Sequence, residues 1–229
     1  MLAGPAAAVH YKYRPMIQHD TILPAVALTQ AQRLMLLDLA RGGLLEKLTD
    51  APAGNATAAD TTATPDLEPP ADPALTARAG CFVSLHERIT HRLRGCVGRL
   101  DPDLPLWQVV RVTAGEVLRD PRFASMPVMA DEIALLELEV SVLSPPREAA
   151  GPLDFEVTDG IYLIFGSRSG FFLPQVARET GWTKEQLLNR LCEEKLGMDQ
   201  HAWRKPDAKL FTFKVEVIGP EPLRACDAR

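Results

Sequence analysis

Residues 133–144 read IALLELEVSVLS, where Leu136, Leu138, Val140 and Val142 alternate with Glu137, Glu139, Ser141 and Leu143. A period of two sends successive side chains to opposite faces of an extended chain, so this stretch buries its leucines and valines only as a strand against a core. The glutamates then form an acidic outer edge, and Pro145 with Pro146 ends the strand.

Other segments share the strand signature. GCFVSLH at 80–86 and LRGCVGRL at 93–100 are rich in β-branched and apolar residues and flank a short polar turn, which predicts a hairpin. If His86 faces His91 across that turn, Cys81 stands opposite Cys96, at the distance of a redox pair. DGIYLIFG at 159–166 reads as a turn feeding a buried strand, followed by a turn at SRSG, and KLFTFKVEVIG at 209–219 reads as a single final strand.

Helical spacing appears elsewhere. Leu34, Leu37, Leu45 and Leu48 follow Thr29, which can cap a helix, with Gly42 and Gly43 as its candidate break. Residues 104–119 form an amphipathic helix with Pro105 in its first turn and a stop at Asp120 and Pro121. Thr183 and Gln186 make a capping box for a helix through Leu187, Leu188, Leu191 and Cys192 to Gly197. Strands and helices alternate irregularly, which favours an α+β fold, a largely antiparallel sheet packed by helices, over a doubly wound one. Residues 50–74 are rich in Ala, Thr and Pro without apolar periodicity and read as a flexible surface insertion.

Composition narrows the function classes. The chain has 229 residues, 46% hydrophobic, with a net charge of -5, so no overall field draws it to nucleic acid or an anionic membrane. With 6% aromatic residues, the basic run of Arg88, Arg92, Arg94 and Arg99 with His86 and His91 lacks the stacking platforms that bind exposed bases. No stretch is apolar enough for a membrane span and no signal peptide is evident, so a cytoplasmic location is expected. The four cysteines form no CxxC; a metal site from Cys81, Cys96, His86 and His91 is conceivable only in the register above. No metal site and no cofactor site is assigned, and any cofactor stays unknown.

HRLRGCVG at 91–98 concentrates the chemistry. Cations at His91, Arg92, Arg94 and Arg99 favour a thiolate at Cys96, whereas Gly95 and Gly98 equally suit a strand in which Cys96 is a small buried residue. Arg94 either binds a carboxylate or phosphate ligand, with Arg122 beside it, or pairs with Glu139 or another acid of the neighbouring strand. In LPQVA at 173–177, Pro174 starts a helix and Gln175 offers an amide to a ligand or to backbone. DPRF at 120–123 reads as an ordinary helix stop.

LRGCVG, DPRF, EVSVLS at 139–144, LPQVA and Trp182, in that order, resemble the AMMECR family, whose bacterial and archaeal members are called AmmeMemoRadiSam system protein A. The resemblance runs over 27–219 as one domain, leaving 1–26 as an N-terminal extension and 220–229 as a tail. It implies an α+β domain with a larger and a smaller lobe and a cleft between them. It also implies Memo-like and radical-SAM partner proteins. The insertion at 50–74 and EEKLGMDQHAW at 193–203 depart from the family's pattern.

Two readings follow. In the first, a cleft lined by Arg94, Cys96, Glu139 and Gln175 binds a small anionic or amide-bearing ligand, with Cys96 as nucleophile, Glu139 as acid/base or orienting group, and Arg94 and Arg122 as anion binders. In the second, the domain is a non-catalytic adaptor that docks the partner proteins. An enzyme needs a pocket converging on Cys96, and an adaptor needs an exposed apolar patch.

Overall fold

Thr29 opens the first helix as expected: its hydroxyl accepts from the Gln32 N–H at 3.3 Å and its own N–H donates to the Gln32 amide oxygen at 2.7 Å. The computed structural model describes residues 27–49, 68–100 and 104–224. The order is α1 (Gln30–Thr49), α2 (Pro73–Thr76), β1 (Cys81–Glu87), β2 (Leu93–Arg99), α3 (Leu106–Glu116), β3 (Leu136–Leu143) and β4 (Arg147–Glu148). There follow β5 (Gly160–Phe165), β6 (Arg168–Phe172), α4 (Pro174–Thr180), α5 (Lys184–Leu191), β7 (Ala208–Phe213) and β8 (Val215–Pro222). The α+β class holds, with two four-stranded sheets, ordered β2-β1-β3-β8 and β4-β7-β5-β6, in place of the one sheet expected.

The described chain divides into two compact units: Ser144–Val215, and the residues up to Leu143 together with those from Glu216 onward. Each has its own core. In the first-sheet unit, α1 and α3 place Leu36, Leu44, Leu106 and Val110 against Val83, Leu85, Leu138 and Val140 of the sheet. Each such burial stabilises the fold by about 1.5–3 kcal/mol. In the other unit, Ile161, Leu163 and Phe172 pack with Leu187, Leu188, Leu191 and Trp203.

Helix α1 runs unbroken through Gly42 and Gly43. A Cβ on Gly43 would collide with the carbonyl of Arg111, and one on Gly115 would meet the Lys47 side chain at 2.6 Å. The glycines mark where α3 crosses α1, which is a packing constraint rather than a helix end. Helix α3 starts later than expected, with Pro105 at its N-cap, and its last turn tightens to 3-10 geometry over Val117–Arg119.

The hairpin register corrects the sequence reading. Cys81 pairs with Arg99, and Cys96 with Ser84, so the two cysteines are not opposed. The turn is longer than a His86–His91 pairing assumes: the Glu87 N–H bonds the Arg92 carbonyl at 2.9 Å, His91 takes a left-handed φ of 54°, and a bulge follows at Leu85/His86. Hence neither the redox pair nor a metal cluster from Cys81, Cys96, His86 and His91 is assembled by that register. Among the described residues no three His, Cys, Asp or Glu side chains converge on a metal-sized site.

Other boundaries shift. Residues 130–135 form a 3-10 turn before β3, and the outer edge of β3 is less exposed than its glutamates suggest: Glu137 is buried and its carboxylate meets His91 Nδ1 at 3.1 Å. The final alternation divides into β7 and β8, one in each sheet, because Lys214 leaves the ladder and exchanges hydrogen bonds with Ser144. SRSG is only partly a turn, since Arg168 already pairs with Phe165 in a tight β5–β6 hairpin. The 1–26 extension, residues 50–67 of the insertion and 225–229 of the tail lie outside the described residues. Residues 73–74 of the insertion begin α2, whose N-cap Asp72 accepts from the Gln32 amide of α1 at 2.9 and 3.1 Å.

Candidate functional site

Among the described residues β2 is an edge strand, and one side of its backbone has no strand partner there. At Cys96 the vacancy is filled by side chains. Its N–H donates to Asp120 Oδ2 at 2.9 Å, and its carbonyl accepts from Arg122 Nη2 at 2.9 Å. Asp120 and Arg122 are locked to each other, with Nε to Oδ1 at 3.0 Å and Nη2 to Oδ2 at 2.6 Å. The Arg122 N–H also donates to Asp120 Oδ1 at 3.1 Å, capping the short 3-10 turn Pro121–Phe123. DPRF is therefore a clamp that stands in for a strand, and the helix-stop reading missed it.

Arg94 is buried, 6% exposed, and its guanidinium reaches Glu132 at 2.9 and 3.3 Å, with Glu87 at 3.6 Å. Glu132 supplies the bidentate partner that the sequence reading sought in Glu139. The Glu132 carboxylate also accepts the Met129 N–H at 2.9 Å, and Arg94 donates to the Met126 carbonyl at 3.4 Å. A turn of the hairpin joins the same cluster through Arg88, whose N–H bonds the Leu135 carbonyl at 2.9 Å. Around these bonds stand Ile89, Met126, Met129 and Leu135, all exposed, with Ile89 at 88%.

Register places the remaining candidates in one row. Ser84 lies opposite Cys96 on one side and opposite Glu139 on the other. Directly opposed residues share a face of the sheet, so Cys96, Ser84 and Glu139 line up across β2, β1 and β3. Cys81, Val83 and Leu85 occupy the other face, in the core. With strands about 4.8 Å apart, Cys96 and Glu139 are about 10 Å apart along the row, and Ser84 fills the gap. Ser84 was not singled out from sequence; only the pairing register reveals it.

The glycines of the motif are explained by contact. A Cβ on Gly98 would strike the Phe82 ring and come within 2.5 Å of the Cys81 carbonyl, and one on Gly95 would stand 2.7 Å from the Val117 carbonyl. Both positions exclude any larger residue without a backbone shift.

Electrostatics at Cys96 run against a preformed thiolate. Burial pushes its thiol above the ordinary value, and the Asp120 carboxylate works in the same direction; the Ser84 hydrogen bond and the Arg122 charge oppose them without prevailing. The Cys96 side chain is nevertheless half-buried, whereas Cys81 is fully buried and its thiol is pushed up to about 12, chiefly by burial. Burial alone would raise the Asp120 carboxyl, but hydrogen bonds from Arg122 and from the Cys96 and Arg122 N–H groups hold it below the usual carboxylate range.

Arg94, Cys96, Arg122 and Glu139 thus belong to one unit. Gln175 belongs to the other, on α4 after Pro174, where its amide oxygen is buried without a hydrogen-bond partner among the described residues.

This arrangement can be compared with known proteins. A profile of the AMMECR1 family matches residues 51–218. The chain belongs to the AMMECR1 family. Within curated AMMECR1-like sequences, a Thermococcus gammatolerans protein is 35% identical over 167 residues, covering 68% of this chain and 80% of that one. Thermoplasma acidophilum protein Ta0236 is 34% identical over 159 residues, covering 66% of this chain and 76% of its own length. The crystal structure of Pyrococcus horikoshii protein PH0010 is similar to the AMMECR1 fold described above with a TM-score of 0.66 and 32% identity, over 82% of this chain and 95% of that one. No described helix is long and apolar enough to cross a membrane.

Proposed function

We propose that this AMMECR1 domain, working in the cytoplasm, binds a small amide-bearing ligand on the polar face of its first sheet, where Cys96 acts as nucleophile. The supporting observation is the Cys96–Ser84–Glu139 row. Arg94 and Arg122 already hold carboxylates, which favours an amide over an anion as the bound group and gives both arginines a positioning role. The raised thiol means that Cys96 waits protonated at neutral pH, so its proton must be drawn off as ligand binds. Glu139 is the base in this reading, reached through the Ser84 hydroxyl.

The test is alkylation by iodoacetamide, itself an amide-bearing electrophile, followed at each cysteine by peptide mass spectrometry across pH. Cys96 labels in the native protein with an apparent pKa above that of a free thiol, near 8.5, while Cys81 and Cys192 do not label. Labelling of Cys96 only after denaturant is added would sink the catalytic reading.

A second reading has its own support in the exposed cluster of Ile89, Met126, Met129 and Leu135. In it the domain is an adaptor, and these side chains dock the Memo-like and radical-SAM proteins that the family resemblance implies. Ile89→Glu then abolishes co-purification with such a partner while Cys96→Ser leaves it intact. The opposite pattern would reject the adaptor.

A further inference from the structure

Trp182 takes no part in the site above. It sits between Gly181, the left-handed C-cap of α4 with φ 66°, and Thr183, the N-cap of α5. With Gln186, Asn189, Arg190, Glu193 and Gln200 it lines an open pocket of about 300 Å³ within the Ser144–Val215 unit. Gln186, Asn189 and Arg190 follow the spacing of one face of α5, which supplies one wall, and Glu193 extends that wall past the end of the helix. Beyond Leu191 the helix widens into a π turn, Cys192–Leu196, a geometry that often accompanies function. Arg168 pins the end of that turn through the carbonyls of Leu196 and Gly197 at 3.0 and 2.8 Å.

The hydrogen bonds within the wall decide what it can offer. The Gln186 amide oxygen is taken by the Thr183 N–H at 2.9 Å, and the Asn189 amide oxygen by the Trp203 indole N–H at 2.7 Å. Each amide therefore has its NH₂ left to present, and both act as donors. Arg190 lies over the Trp182 ring, 5.7 Å from its centroid, and meets Glu193 and Glu194 at 3.6 and 4.0 Å, too far for hydrogen bonds. Its fork stays open to a better acceptor.

We infer that this pocket binds a small carboxylate that also carries an acyl amide and a flat apolar group, as an N-acylated aromatic amino acid or the last residue of a peptide does. Arg190 takes the carboxylate, the Gln186 and Asn189 NH₂ groups take carbonyl oxygens, and the indole of Trp182 takes the flat group. Glu193 stands against a second negative charge. The volume is at the small end of ligand pockets, which sets the limit at one residue or two.

The experiment is a titration of the full chain with N-acetyl-L-phenylalanine, read in ¹H–¹⁵N spectra, beside N-acetyl-L-phenylalaninamide as the uncharged control. Saturable shifts are expected at the Trp182 indole N–H and the Gln186 and Asn189 NH₂ groups, with the amide binding about tenfold more weakly. Arg190→Gln should lose the same factor with the rest of its spectrum unchanged. Equal affinity for acid and amide, an unaffected Arg190→Gln, or no saturation at these three side chains would overturn the inference.

Discussion

Asp120 shows how a single carboxylate can hold an edge strand. It accepts from the Cys96 and Arg122 N–H groups through its two oxygens while its side chain is 2% exposed, so an amide in its place keeps one acceptor where two are needed, turns an NH₂ toward the other N–H, and leaves the guanidinium without its counter-charge. Asp120→Asn should destabilise the protein by about 2–3 kcal/mol, measured as a lower denaturant midpoint with an unchanged slope. The pH dependence carries a sign. Because the folded carboxyl titrates below its unfolded value, near 3.9, its contribution is complete above that value and is lost as pH falls through the folded one. The wild type should therefore lose part of its stability in that acid window, and Asp120→Asn should lose less there. Equal acid sensitivity in both would show that the clamp contributes nothing to folding. At this scale the sequence was least informative, since an Asp-Pro-Arg run has the same composition whether it merely stops a helix or grips a neighbouring strand.

The contact of α1 with α3 shows what single glycines do for whole elements. Gly43 lets the Arg111 carbonyl approach the backbone of α1, whereas at Gly42 a Cβ would meet only the end of the Arg111 side chain, at 3.2 Å. Gly43→Ala should cost at least about 2 kcal/mol through forced separation of the helices. Gly42→Ala should be neutral or stabilise by up to about 1 kcal/mol through helix propensity. Thermal unfolding of the pair separates the two effects, and equal losses would argue against a close crossing at Gly43. Element types were legible where periodicity and capping agreed: the Thr183–Gln186 box appears in the structure as read, and 136–143 is a strand as its alternation requires, although it is buried at every position but Glu139. Register was not. The length of the Arg88–Arg92 turn decides whether Cys96 faces Cys81 or Ser84, and a bulge and a left-handed His91 leave no periodic trace in sequence. The candidate site was legible as a motif, LRGCVG, but its row of three residues depends on pairings among distant strands.

At the scale of the whole molecule, the first-sheet core is closed by a return of the chain. Gln32, in the first turn of α1, bonds Asp72 at the start of α2, yet the chain leaves α1 at Thr49. At 1.5 Å per residue the distance back from Thr49 to the level of Gln32 is about 26 Å, which takes about eight extended residues. The segment between has more than that, so its length exceeds what closure demands. Removing about ten residues from 51–66 should leave the transition temperature within a few degrees, because loop-closure entropy varies slowly with length. Removing all of 51–66 leaves about seven steps from Thr49 to Asp72, or about 23 Å. That leaves no slack over the separation, so the shortened link should pull Asp72 away from Gln32 and strain Leu75, which is fully buried, out of the core. Loss of Leu75 from its site would cost about 2–5 kcal/mol, so the transition should fall by more than about 5 °C. A full deletion that melts like the wild type would mean that α2 reaches its place by a shorter path, and that the docking of α2 on α1 does not depend on this segment.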